Sequence, residues 1–584
     1  MSARALPLTF LLACAGAACD GPVDTDLTDA AATDARAPVR DGRVAPPPSD
    51  AAFPPDAPDP RWSGALLDPV VDQAVAEEET LSIVIHADPS ARVFVDDAPP
   101  GSRWDEAART LTFTPDFIQG ARAYPVSVTA ISRDERATES FTIDVEDTIH
   151  PRDPEILRVT DGWQATHIRV VQTTDDYLDP PGLAGRELEA VITVPEAASA
   201  DSLMPMRITL HAAGGAPTAV GGPDRFGLAP HNPEGNWWGG RAEVLPDEPT
   251  TGRVLDYSQR RVLHLLDWVT RNYPGVDQNA IMLEGQSKGG VGVLWMAARH
   301  GRHFSRVYAR LAMAAARLMR GGMDDAFEGH MGPHEMSLLT ERGLPAWDDY
   351  DLMRALRDDP EAASLHYLVY NAKNDRLTTF HHWIQPSPHT GETGVEAMQR
   401  HRVGHEVGWD QRDHSDGTPF WDMSRSSRDV RRDRAFPAFS RSSADDDAGA
   451  VEADGSFSGD DYGVLNRYFE WTSEEIVDTR AALSIPMRAD YVEVAPPTDG
   501  RPPRDDGYAG ATPIVADVTV RRAARFVCLP GERVRWRWVP AAGDPSEGEV
   551  DADEAGLVTV PQLPFTPEGG TLHLERSEVR PWDA

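Results

Sequence analysis

The sequence predicts a multidomain chain: a central domain with a mostly parallel sheet and helices on both faces, flanked by two β modules. Three observations carry this reading. At 584 residues the chain is too long for a single core. Apolar residues alternate at period two toward both ends, the mark of half-buried strands. Between those ends, strand-like runs alternate with stretches of helical period, which is α/β organisation.

Taken in order, residues 1–19 begin MSARALPLTFLLACAGAAC, one arginine before an apolar run of signal-peptide length followed by small residues and cysteine. Leu11-Leu12-Ala13-Cys14 resembles a bacterial lipobox, and Gly16-Ala17-Ala18-Cys19 is a poorer match. The protein is therefore expected to be exported, either secreted or held at the cell envelope by a lipid on Cys14 or Cys19. A membrane is expected as a partner only through that anchor, because no other apolar stretch approaches the ~20 residues that span a bilayer. Residues 20–62 are rich in Asp, Ala and Pro with few large apolar side chains, so they read as a disordered tether.

Residues 63–148 hold Leu81/Ile83/Ile85, Leu111/Phe113, Val126/Val128/Ala130 and Phe141/Ile143/Val145, each alternating between turn residues. This predicts a small β-sandwich. The run TLTFTPDFIQGARAYPVSVTAISRD resembles Ig or cadherin-like modules of bacterial surface proteins, which implies a spacer or binder without chemistry of its own. Residues 149–471 form the α/β region: strands at 187–194 and 206–211, a helical face of Val262, Leu265, Leu266 and Val269, and strands at 365–371 and 403–410 bracketing a helix at 394–402. Residues 472–584 return to alternation, with Val534/Trp536/Trp538, Val558/Val560 and Leu572/Leu574, as a second β module. Asp445 to Asp447 reads as an acidic surface loop.

The formal charge of -38 argues against nucleic acid as a partner, since a phosphate backbone is bound by surplus Lys and Arg. Two of the three cysteines, Cys14 and Cys19, lie in the leader, so no internal disulfide framework exists and Cys528 reads as a buried small residue. Of the 56 basic residues only Lys288 and Lys373 are lysines, and both fall within loops that carry candidate catalytic residues.

The chemistry lies in NAIMLEGQSKGGVGVLWM: an apolar strand, then Gly285-Gln286-Ser287-Lys288-Gly289, then an amphipathic helix. Gly-x-Ser-x-Gly between strand and helix presents a serine hydroxyl on a sharp turn where an imidazole can reach it. An orienting carboxylate and a base are then expected later in the chain, in that order. Asp375 follows the strand at 365–371 in NAKNDR, and His414 follows the strand at 403–410 in WDQRDH. His405, inside that strand, is the alternative base. With His381, His382, His389 and His401 these make six neighbouring histidines, but no HExxH or nearby cysteine supports a metal site. No metal and no cofactor is expected.

An oxyanion formed at the serine needs two backbone donors. Lys288 supplies one amide, and His211-Ala212-Ala213-Gly214-Gly215 looks like the HGGG-type loop of esterases with alanine at two glycine positions, which makes Gly214 and Gly215 the candidate second donors. Asn236 to Gly239, with its two tryptophans, reads as core or as a pocket wall. From about 186 to 519, through LHAAGG, EGQSKGGVG, NAKNDR and WDQRDH, the chain resembles secreted bacterial α/β-hydrolases of the prolyl-oligopeptidase and depolymerase-like esterase group. That resemblance implies an α/β-hydrolase fold with Ser287 as nucleophile, Asp375 as orienter and His414 as base, acting on a small-molecule or polymeric ester, with an amide as a further option. The alternative is a surface adhesion or scaffold protein whose hydrolase core has lost activity.

Overall fold

Ten strands form the central sheet. Across it the order is Gly463–Leu465, Gly404–Asp410, His366–Ala372, Arg306–Arg310, Val276–Gln286, Met204–Leu210, Phe226–Pro230, Glu187–Pro195, Ala165–Thr173 and Glu155–Asp161. The six strands from Gly404–Asp410 to Phe226–Pro230 run parallel, and the remainder pair antiparallel at the two sides. The computed structural model describes residues 63–577 apart from 133–134, 245–248, 319–323, 337, 379, 415–416, 418–429 and 491–511. The leader and tether expected in residues 1–62 lie outside the described residues.

Burial on both faces explains why the central strands show no period-two alternation. Every residue of His366–Ala372 and of Gly404–Asp410 is buried, as a parallel sheet covered on both faces requires. The helix Tyr257–Asn272 turns Val262, Leu265, Leu266 and Val269 into that core. Gly394–Arg400 starts at Thr393, whose hydroxyl accepts from the Glu396 amide while the Glu396 carboxylate accepts from the Thr393 amide, a reciprocal cap. The hairpin of Glu155–Asp161 and Ala165–Thr173 had no sequence signal, because its outer strand is exposed along its whole length and carries no burial alternation.

Residues 73–146 make two sheets, one of Gln73–Ala76, Glu135–Glu146, Arg122–Ser132 and Arg92–Asp96, the other of Leu81–Val84, Thr110–Phe113 and Arg103–Asp105. Their core is the alternating set seen in the sequence, including Ile83, Leu111, Phe113, Val128, Phe141 and Ile143. A third body is built by Phe436–Ser440 with Ile514–Arg521 and Thr559–Phe565, and by Phe469–Trp471 with Ala482–Ala489, Gly570–Arg576, Arg533–Pro540 and Ser546–Asp551. Here the boundary at 471/472 needs correction. Phe436, Phe439, Phe469 and Trp471 pack in the same core as Val534, Trp538 and Cys528, while Gly463–Leu465 between them pairs with the central sheet. The chain crosses between the two bodies more than once, so no single cut in sequence separates them.

The acidic run 445–447 is also more than surface. Asp445 accepts from the Asn466 amide at 2.6 Å and the Ser442 amide at 3.2 Å, and Asp446 accepts from the Val464 amide at 2.8 Å. Burial outweighs these contacts and raises the Asp445 carboxyl to about 6.

The first sandwich is docked rather than merely tethered. Phe117 and Ile118, in the loop before Arg122–Ser132, belong to the main hydrophobic core of the α/β domain, and the Phe117 ring meets Tyr177 edge-on at 5.0 Å. Around them Arg122 pairs with Asp267 at 3.2 Å and the Tyr177 hydroxyl donates to Glu78 at 2.6 Å. The same sandwich reaches the C-terminal body: Arg92 pairs with Glu532 at 3.2 Å and donates to the Val527 carbonyl at 2.7 Å, and Asp96 pairs with Arg480 and Arg525. Truncating a buried phenylalanine costs the transfer energy of its ring plus a cavity. Phe117→Ala should therefore lower stability by about 3 kcal/mol in chemical unfolding. A loss below about 1 kcal/mol would mean that the sandwich hangs free of the α/β domain.

Candidate active site

The strand Val276–Gln286 ends one residue before Ser287, and the helix Lys288–His300 begins one residue after it. Ser287 holds φ 56° and ψ −126°, a backbone region that costs a non-glycine residue on the order of 1–3 kcal/mol. Two neighbours permit the turn. A Cβ on Gly285 would lie 2.4 Å from the Gly289 carbonyl carbon, and one on Gly289 would lie 2.0 Å from the Leu210 carbonyl oxygen. The Ser287 amide is anchored on the Arg310 carbonyl at 2.9 Å, which ties the turn to the adjacent strand.

Asp375 and His414 follow His366–Ala372 and Gly404–Asp410, the two parallel strands beyond Arg306–Arg310, and backbone bonds zip their loops together. The Lys373 amide donates to the Asp410 carbonyl at 2.7 Å and the Asn374 amide to the Arg412 carbonyl at 3.2 Å. As a result His414 Nε2 lies 2.7 Å from Ser287 Oγ, and His414 Nδ1 lies 2.7 Å from Asp375 Oδ2. Asp375 also accepts from the Leu377 amide at 2.8 Å, the Thr378 amide at 3.1 Å and the Thr378 hydroxyl at 2.8 Å. Burial opposes ionisation of Asp375, but the His414 hydrogen bond and charge, with these donors, outweigh it and hold the carboxyl below its ordinary range. The imidazole thus has an acceptor on one nitrogen and the serine hydroxyl on the other. Thr378 was not legible in the sequence, because a threonine three residues beyond an aspartate is not distinctive.

His405 does not join this group. Its Nδ1 donates to the Val403 carbonyl at 2.7 Å and its Nε2 accepts from the Asn466 side-chain amide at 2.9 Å. The other histidines disperse as well: His381 lies 2.9 Å from the Leu318 carbonyl, His389 2.7 Å from Asp348 and His401 3.1 Å from Glu392. Among the described residues no group of three or more His, Cys, Asp or Glu is arranged to hold a metal ion.

The HAAGG loop lies against the elbow, since Leu210 touches Gly289 so closely. The Gly215 amide donates to the Ala212 carbonyl at 3.0 Å, closing a turn, and so is not available to an oxyanion. This corrects the expectation for Gly215; Gly214, at φ +68°, sits at the apex of that turn. His211 Nδ1 donates to the same Ala212 carbonyl at 2.7 Å. A planar trans peptide then sends the Ala213 N–H the opposite way, away from the His211 ring. The Lys288 amide is the first of its helix, where N–H groups lack intrahelical partners, and no side chain caps it. Behind the loop Trp238 is buried in the core and donates from Nε1 to the His211 carbonyl at 3.2 Å, which settles the NWWG segment as a brace. A cavity of about 890 Å³, lined by Lys373, Asn374, Asp375, Arg376, Leu377, Asp413, His414 and Phe457, opens beside the histidine.

Residues 238–380 match the family model described as putative esterase, a stretch that contains Ser287 and Asp375. No curated protein matches the chain. Solved structures similar to it include an S-formylglutathione hydrolase from Agrobacterium tumefaciens at 14% identity, covering 45% of this chain and 92% of that one with a TM-score of 0.31. An acetyl xylan esterase from Paenibacillus sp. R4 is 15% identical over 46% of this chain and 86% of its own, TM-score 0.31. A glucuronoyl esterase from Solibacter usitatus is 13% identical over 47% and 84%, TM-score 0.29.

Burial, against the Val403 hydrogen bond, lowers His405 from its ordinary 6.5 to about 4. Between those values the unfolded chain binds a proton that the folded one refuses, so stability rises with pH across the window. This contribution is complete above about 6.5 and is lost as pH falls through about 4, a difference of about 3 kcal/mol. In urea unfolding at pH 7 and pH 4.5, His405→Gln should flatten that part of the pH dependence and keep turnover at pH 7. A folded His405→Gln protein without turnover would return His405 to the role of base. The family match and the strand–elbow–helix architecture together make the central region an α/β-hydrolase domain of esterase type set within a multidomain chain.

Proposed function

We propose that the protein is a serine esterase that works through an acyl-enzyme, with Ser287 as nucleophile, His414 as general base and acid, and Asp375 as the group that orients the imidazole. The observation that carries this reading is the unbroken relay of two 2.7 Å contacts from Ser287 Oγ through His414 to Asp375. His414 Nε2 takes the hydroxyl proton as Ser287 Oγ attacks the ester carbonyl carbon, and the carbonyl oxygen becomes an oxyanion. The Lys288 amide and an amide of the HAAGG loop, Ala213 or Gly214, receive that charge. Collapse expels the alcohol, which takes the proton back from His414. Water then repeats the cycle, with His414 as base, to release the acid.

What favours an active enzyme over an inactive scaffold is that Ser287 stands in a strained turn with both partners of the relay in hydrogen-bond reach. Ser287→Ala, His414→Ala and Asp375→Asn should each lower kcat on a p-nitrophenyl ester by about 10⁴ to 10⁶. Triad members act as a unit, so Ser287→Ala combined with His414→Ala should cost little more than either alone. Full labelling of Ser287→Ala by a fluorophosphonate, or full turnover by it, would overturn the assignment.

Export and a lipid anchor at Cys14 or Cys19 complete the proposal, on the strength of the leader and LLAC alone. Two acyl chains or more would hold the N-terminus while the acidic, proline-rich residues after it give reach. Mass spectrometry of the membrane fraction should find a lipid-modified cysteine as the first residue; an unmodified N-terminus in the culture supernatant would contradict the anchor.

A further inference from the structure

The chain uses arginine for 54 of its 56 basic residues, and the two lysines stand beside two catalytic positions: Lys288 directly after Ser287, and Lys373 two residues before Asp375. Both are buried, and neither ammonium makes an ion pair among the described residues. Each instead donates to two backbone carbonyls of a distant loop. Lys288 Nζ donates to the carbonyls of Asn232 and Glu234. Lys373 Nζ donates to the carbonyls of Ser458 at 3.1 Å and Asp460 at 2.6 Å. Both also sit over aromatic rings, Lys288 at 5.8 Å from Trp238, and Lys373 at 5.6 Å from Phe380 and 5.9 Å from Trp409.

The chemistry of these sites separates lysine from arginine. An ammonium aims three donors from one atom and fits a cup of carbonyl oxygens, whereas a guanidinium spreads its donors over a rigid planar fork suited to carboxylates. The pinned loops each lead back to the reaction centre. Beyond Asn232, its own amide donates to His211 Nε2 at 3.0 Å. That bond and the Nδ1–H donation to Ala212 fix one neutral tautomer of His211 and the plane of the Ala212–Ala213 peptide. Lys288 is therefore linked through Asn232 and His211 to the Ala212–Ala213 peptide of the HAAGG loop. The loop pinned by Lys373 instead carries Phe457, which lines the cavity beside His414.

We propose that Lys288 and Lys373 are positioning residues with separate tasks: Lys288 holds the HAAGG loop in the geometry that receives the oxyanion, and Lys373 holds the Phe457 wall of the substrate cavity. This rests on the serine-esterase reading above. Met replaces either stem without its donors, so the full-length protein with Lys288→Met, Lys288→Arg or Lys373→Met supplies the test. The readouts are kcat and KM on a p-nitrophenyl ester and the affinity of an arylboronic acid, which forms a tetrahedral adduct on a serine oxygen.

For Lys288→Met the expected result is a kcat lowered about 10- to 100-fold with KM little changed, and boronate affinity lowered in parallel. Lys288→Arg should not restore either quantity. For Lys373→Met the expected result is the reverse split, a KM raised about tenfold with kcat nearly unchanged, and a boronate affinity that falls only as far as kcat/KM does. Folded variants with all three quantities at wild-type values would overturn the proposal. So would equal changes in kcat and KM from both lysines that merely track a lower melting temperature, since that pattern describes general loosening. If Lys288→Met does not fold, His211→Gln breaks the same link at its far end and must show the kcat and boronate losses. Full turnover by Ser287→Ala would instead overturn the esterase reading, whereas a dead Ser287→Ala beside unaffected lysine variants would overturn only the lysine assignment.

Discussion

Ser287 sits at φ 56° and ψ −126°, and much of the central domain can be understood as what it takes to hold one serine there. The turn is unfavourable by itself, so it persists only where the surroundings over-determine it. The strand Val276–Gln286 lies in the middle of the parallel sheet with a partner on each side, and the helix that follows is buried along nearly its whole length. Neither end of the turn can relax without breaking sheet bonds or uncovering core. Gly285 and Gly289 are small because the helix start, the preceding strand and the Leu210 carbonyl occupy the space where side chains would stand.

Around this turn the protein invests in buried polar connections. Glu234 is gripped by Arg186, Arg261 and Arg241, and although burial opposes its ionisation, Arg261 and Arg186 draw its carboxyl down to about 2. Arg261 also meets Asp179 at 3.0 Å and the Ser258 hydroxyl at 3.1 Å, and Asn236 links Ser258 to the Gly239 carbonyl. Buried ion pairs add little net stability against well-packed apolar groups, but breaking one leaves an uncompensated charge, so such a knot tolerates few arrangements. Its location around residues 232–239, the segment that braces His211 and the HAAGG loop, puts that intolerance beside the Ser287 turn.

The flanking sandwiches share in this rigidity. Phe117 enters the main core, Arg122 reaches Asp267 on the helix Tyr257–Asn272, and Arg92 and Asp96 reach the C-terminal body. The C-terminal body in turn donates through Arg522 to the carbonyls of Phe304 and Ser305, next to the start of the strand Arg306–Arg310 whose last carbonyl anchors Ser287. Three bodies in mutual contact constrain one another's orientation more than any pair joined by a linker.

By itself the sequence determined the elements whose signal is local. Alternation marked the strands of both sandwiches, the face of Val262, Leu265, Leu266 and Val269 marked a helix, and Gly-x-Ser-x-Gly between strand and helix marked the elbow, because each depends on neighbours within a few residues. The order Ser287, Asp375, His414 was legible for the same reason, each residue following its own strand. Tertiary structure alone brought His414, and not His405, within reach of Ser287 and Asp375, since the difference is whether a side chain turns from a buried strand toward Asn466 or emerges on a loop zipped to Asp375. It alone placed Phe436–Ser440 and Phe469–Trp471 in the C-terminal core, turned the Gly215 amide onto the Ala212 carbonyl, and brought Thr378 and Asn232 to the site. Those outcomes depend on hydrogen bonds and packing between residues tens to hundreds of positions apart, and such pairings leave no period or motif in a single chain to read.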